Sequence, residues 1–164
     1  MPLAHKVGLH NHWAFVCYAP DGSVKWEDSF DNVVPMSGRT HIINAAFGST
    51  SSSDWYVGLK SSGAPSTSDT LASHASWTES TCYSTDRKAF VESTATSDTV
   101  SNAGSVAAFA ILASTSIAGA FLTNQIDGSS NGVLLGVGDF AAARSVASGD
   151  TLNVTITCQI TSST

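Results

Sequence analysis

The side chains here that could do chemistry are five histidines, three cysteines and a thin scatter of acids, and their spacing decides which chemistry is open. His10 and His12 lie two apart and share one face if that segment is extended, with His5 available as a third metal ligand. No carboxylate or thiol stands close to them in sequence, so we read them as polar residues of an exposed N-terminal segment and assign no metal and no cofactor. Cys17, Cys82 and Cys158 are odd in number and lack Cys-x-x-Cys spacing, which fits neither a disulfide framework nor a zinc site. They read as buried thiols; a disulfide formed in an oxidising medium is the second reading.

Serine is abundant enough for a Ser–His–Asp set to arise by chance, and we read no catalytic nucleophile among the serines. Glycoside hydrolysis needs two acids across a cleft, and the only glutamates are Glu27, Glu79 and Glu92. Glu79 follows Trp77, a pairing that occurs in sugar sites. The alternative, a solvent-facing strand acid beside a core tryptophan, is the reading we adopt. Gly132, Gly136 and Gly138 are not followed by the Gly-Lys-Ser/Thr of a phosphate loop. We therefore name no catalytic residue and expect no enzyme.

Composition limits the partners. Of 164 residues, 42% are hydrophobic and only 12% charged, so the polar surface must come from Ser, Thr, Asn and Gly, which suit strands and turns better than surface helices. The net charge of −6 offers no basic patch for nucleic-acid phosphates. The longest apolar run, Val106–Ala113, is far short of the roughly 20 residues a spanning helix needs, so no membrane partner is expected. The N-terminus carries no hydrophobic signal region, which predicts folding in a cytoplasm.

The elements that would position these residues are mostly strands. Leu152, Val154, Ile156, Cys158 and Ile160 alternate with Asn153, Thr155, Thr157 and Gln159, which predicts a strand with one buried face and Cys158 in the core. His12–Tyr18 and Ser23–Phe30 flank the turn Ala19-Pro-Asp-Gly22 and predict a hairpin. Its first half is apolar on both faces, so it is either sandwiched between layers or pressed on a neighbouring subunit. A short helix is predicted near 38–47, with Ser37 as N-cap, a stripe of Ile42, Ile43, Ala46 and Phe47, and Gly48 at its end. Beyond the serine run Ser51–Ser53, Trp55–Lys60, Thr78–Tyr83, Lys88–Ser93, Val106–Ser114, Ile117–Thr123 and Val133–Val137 read as strands, with Val106–Ser114 buried on both faces. Asp69–Trp77 is either a helical turn or an irregular crossover. The expected fold is mostly β: a single-domain antiparallel β-sandwich or jelly-roll-like barrel, with one short helix and an N-terminal β-hairpin arm. Residues 1–34 form the arm and 35–164 the core, in one folding unit.

Several segments taken in order carry a resemblance: Asn32-Val-Val-Pro-Met-Ser-Gly38, Trp55-Tyr-Val-Gly-Leu-Lys60, Asp69-Thr-Leu-Ala-Ser-His74 with Trp77-Thr-Glu79, Gly119-Ala-Phe-Leu122 and Ser148-Gly-Asp-Thr-Leu152. From about residue 12 to the C-terminus, the chain resembles a family of small structural proteins encoded among the virion genes of tailed bacteriophages. The resemblance implies a virion component on the capsid exterior, a head decoration (cement) protein, with the major capsid protein as partner. It implies no catalytic residues. Symmetric placement on a shell suggests self-association, with a trimer as first expectation. Trp13, Phe15, Val16, Tyr18 and Trp26 are the candidate interface, and deletion of residues 1–30 is expected to leave a folded core that no longer binds capsids. The alternative function is a phage tail or receptor- or carbohydrate-binding β-sandwich.

Overall fold

The structure is a computed structural model and describes residues 6–48 and 54–163. His5 and the run Ser51–Ser53 lie outside the described residues. In chain order the elements are β1 (Lys6–Tyr18), β2 (Val24–Asp31), α1 (Met36–Ala46), β3 (Trp55–Ser62), β4 (Thr78–Glu79), β5 (Lys88–Phe90), β6 (Thr99–Ser101), β7 (Ala107–Ala110), β8 (Thr115–Thr123), β9 (Leu134–Val146) and β10 (Thr151–Ser163).

Two antiparallel sheets pack as a sandwich. The first has the order β2-β1-β10-β6, with β7 also on β10; the second has the order β4-β3-β8-β9, with β5 also on β3. The alternation in β10 predicted its inward face. Leu152, Val154 and Ile156 are buried and meet Trp13, Phe15 and Cys17 of β1 and Val57, Leu59, Ile117 and Leu122 of the opposite sheet. Cys158 and Ile160 depart from the expectation: Cys158 is only half-buried, at the edge of this core, and Ile160 is 51% exposed.

The hairpin is present, and its turn is built as the sequence indicates. Gly22 sits at φ +84°, Gly22 N–H donates to Ala19 O at 2.9 Å, and Asp21 Oδ1 accepts from Ser23 N–H at 2.9 Å. It is not a projecting arm. β1 lies inside the sheet, paired with β2 on one side and with β10 on the other, in a register running from Lys6↔Ser163 to Tyr18↔Thr151. The chain's first strand is thus closed by its last.

Other expectations shift. Val106–Ser114 contributes only β7, with Ala107 and Phe109 inward and Ala108 and Ala110 exposed, so it is not buried on both faces. Thr78–Tyr83 shrinks to β4 and Lys88–Ser93 to β5. Val133–Val137 is the start of the longer β9, and β6 was not expected. Asp69–Trp77 is an irregular crossover. The Asp69 carboxylate takes Ser66 N–H at 2.8 Å and the Trp77 indole N–H at 2.9 Å, which fixes the loop across the outer face of the second sheet. There Leu71 and Trp77 cover Phe121, Leu134 and Val137 in a second small core.

The helix starts earlier than predicted. Pro35 is its N-cap, and Ser37 Oγ–H donates to Leu134 O at 3.3 Å instead of capping. Gly38 is the contact face: a Cβ there would lie 2.8 Å from Leu135 O, so only glycine lets the helix sit this close to β9. That docking turns the predicted stripe outward. Ile42 is half-buried, whereas Ile43, Ala46 and Phe47 are exposed. Gly48, at φ +77°, follows the helix as expected.

Candidate functional site

The predicted interface residues divide by strand parity. Trp13 and Phe15 are inward and fully buried, inside an aromatic cluster in which Phe15 stands 4.6 Å from Phe140 and Trp13 5.7 Å from Phe30, centroid to centroid. They pack the protein's own core and cannot dock a partner, which corrects the expectation for both. Val16 and Tyr18 are on the opposite, outward face and partly exposed. Trp26 is half-buried; its ring meets Phe140 edge-on and its Nε1–H donates to Ser145 O at 2.9 Å. With Arg144 Nε donating to Asp28 Oδ2 at 2.5 Å, it seals β2 against β9 and closes one side of the sandwich. The two-sided apolarity of β1 therefore resolves as core on one face and partial cover on the other.

The exposed apolar residues of the first sheet lie elsewhere, where the start of β1 pairs with the end of β10. Parity puts Val7, Leu9, Cys158 and Ile160 on the same face as the core residues of β1 and β10, but their outermost members are open to solvent. Val7 is 73% and Ile160 51% exposed. Near them is a pocket of about 250 Å³ whose mostly apolar wall includes Leu9, Ile42, Trp55, Phe90, Val100 and Cys158, but also exposed Glu92 and the buried Asn11, whose side-chain amide has no hydrogen-bond partner among the described residues. Burial pushes the Cys158 thiol up to about 11, so it is a poor nucleophile at neutral pH. Leu9, Val100, Cys158 and Ile160 continue into a second hollow over the loop Ala95–Thr99. α1, whose Ile42 forms one wall, also exposes Met36, Ile43 and Phe47.

The charged groups are organised for structure. Arg87, almost wholly buried, makes a two-pronged contact with Glu79: Nε to Oε1 at 2.9 Å and Nη2 to Oε2 at 2.8 Å. Tyr83 O–H donates to the same Oε1 at 3.0 Å, and burial, with Glu79 beside it, drives the phenol far above its ordinary value. The adopted reading of Trp77 as a core residue holds, since it is 2% exposed; Glu79 is an ion-pair acid rather than a free solvent-facing one. Two hollows flank Glu79, and neither is lined by a second acid. Fully buried Lys60 pairs with Asp139 and donates to Ser62 O and Gly63 O. At the closed end, Asp150 gathers Lys25, Ala147 N–H and the Cys17 thiol. Burial there raises the Cys17 thiol to about 11.

His10 and His12 share the outward face of β1, as expected from an extended segment, and His12 Nδ1 lies 2.9 Å from Asp31. Among the described residues no group of three His, Cys, Asp or Glu is placed to hold a metal ion. One catalytic pattern escaped the sequence reading: Gly128-Ser-Ser-Asn-Gly132 spells Gly-x-Ser-x-Gly around Ser130. It occupies the connection from β8 to β9, not a strand-to-helix elbow, and Ser130 faces solvent. No described helix is long and apolar enough to cross a membrane. Comparison of the chain with protein-family models and with curated proteins returned no match.

Proposed function

We propose that this protein is a structural component of a tailed-phage particle, docking on the capsid exterior and stabilising the shell as a head decoration protein. The observation that carries the reading is the exposed apolar surface where the start of β1 pairs with the end of β10. Val7 and Ile160 stand exposed near a mostly apolar pocket, and the adjoining helix presents Met36, Ile43 and Phe47 to solvent. Burying such a face against a partner is favourable by roughly 25 cal/mol per Å² of apolar area. Elsewhere the surface is sparse in charge and rich in hydroxyls, which suits a face turned to solvent. The ordered segments that resemble phage virion proteins make the major capsid protein the partner, with symmetric copies arranged about a shell axis.

The test is stoichiometry. Purified particles are run on a denaturing gel and this band is quantified against the major capsid protein. One copy per capsid subunit, or per small group of subunits, supports the shell reading. A handful of copies per particle moves the protein to the tail and makes receptor or carbohydrate binding the leading idea.

A further inference from the structure

We propose that Lys60 and Asp139 condense to an intramolecular amide, a covalent cross-link between β3 and β9 that is independent of capsid docking. The sheet order puts β8 between those two strands, and one residue of β8, Gly119, is paired with Lys60 on one side and with Asp139 on the other. Neighbouring strands lie about 4.8 Å apart, so the two backbones are separated by roughly 10 Å. An extended lysine side chain crosses that gap, and Gly119 puts no side chain in its way.

The contact itself is unlike the others in the molecule. Lys60 is fully buried, and its Nζ meets Asp139 Oδ1 closer than a normal hydrogen bond. Yet Asp139 Oδ1, buried as it is, accepts no hydrogen bond among the described residues. The other four ion pairs among these residues, His12–Asp31, Lys25–Asp150, Arg87–Glu79 and Arg144–Asp28, are all hydrogen-bonded. Close approach without donor alignment is the arrangement of an amine facing a carboxyl group as a nucleophile. Ser62 O and Gly63 O hold Nζ in place, and the buried Trp77 ring lies 5.9 Å from it.

The step balances within the pair. Nζ brings three protons and Asp139 its two carboxylate oxygens. The Nζ–Cγ bond forms and one Cγ–O bond breaks. The released oxygen leaves as water with two of the three Nζ protons. No electrons are exchanged and no co-reactant is needed. Groups held in reacting geometry reach effective molarities of about 10⁵–10⁸ M. Condensation also removes both charges, and with them the desolvation cost that a buried ion pair carries.

The experiment is intact-mass spectrometry of the purified, denatured full chain, followed by peptide mapping. The expected wild-type mass is one water below that of the sequence, and the map contains a branched peptide joining the Lys60 and Asp139 segments. Lys60→Met and Asp139→Ala should each retain that water. A wild type at the full sequence mass overturns the cross-link, whether or not either variant folds. A water loss that persists in Asp139→Ala, or that maps to a succinimide at Asp21-Gly22 or Asp127-Gly128, overturns it as well.

Discussion

Glu79→Gln tests whether the buried Arg87 depends on its carboxylate. The Arg87 side chain is 2% exposed and gives two hydrogen bonds to Glu79, while Glu79 itself is 26% exposed. Removing one partner of a fully buried pair costs about 3–5 kcal/mol, because the remaining charge stays desolvated. Water reaching a quarter of Glu79 screens the pair and lowers that figure, so we expect a loss of about 2–3 kcal/mol. The glutamine is isosteric but has one acceptor oxygen where the carboxylate has two, so Arg87 or Tyr83 must lose a bond. For a chain of this size the loss corresponds to a fall in Tm of about 5–10 °C. The assay is urea unfolding followed by tryptophan fluorescence, with Arg87→Met and the double variant completing a cycle. The double variant should be more stable than the sum of the single losses by about 1 kcal/mol or more. A Glu79→Gln change within about 0.5 kcal/mol of wild type, or strict additivity in the cycle, refutes the reasoning.

Three further outcomes are expected. Deleting residues 1–30 removes a strand from the middle of the first sheet together with Trp13 and Phe15, so circular dichroism should show an unfolded chain; a cooperative unfolding transition in this truncation would mean β1 is dispensable. Burial alone would raise the Asp150 carboxyl, but hydrogen bonds from Lys25 and Ala147 N–H and the Lys25 charge hold it below its ordinary value of 3.8. A depressed folded value means the contribution is fully present above the unfolded value and is lost as pH falls through the folded one. Asp150→Asn should therefore flatten the stability curve below about pH 4, and an unchanged acid limb would contradict this. Cys158, half-exposed, should be alkylated before the buried Cys17 and Cys82, and faster as pH rises toward 11; mass spectrometry of a time course reads the order, and earlier labelling of Cys17 would be inconsistent with the burial pattern.

Local signals were sufficient where one element carries the whole pattern. Period-two alternation made β10 legible as a strand and its buried face legible from Leu152 to Ile156, and the Pro-Asp-Gly turn fixed the first hairpin, because both depend on neighbours in sequence. Composition, poor in charge and rich in β-formers, pointed to the sandwich class. Tertiary structure decided the rest. Whether Trp13 or Val16 faces the core depends on which side of β1 the second sheet occupies, and nothing in that segment's two-sided apolarity tells them apart. Whether Ile43 and Phe47 are covered depends on Gly38 docking α1 against β9, a contact made across nearly a hundred residues of chain. The short strands β4 to β6 are held by their long partners, so their own sequences carry little periodicity. Val7 and Ile160 are exposed although parity puts them on the core face of β1 and β10. What covers such a residue depends on strands distant in sequence, and it is invisible until the two layers are packed.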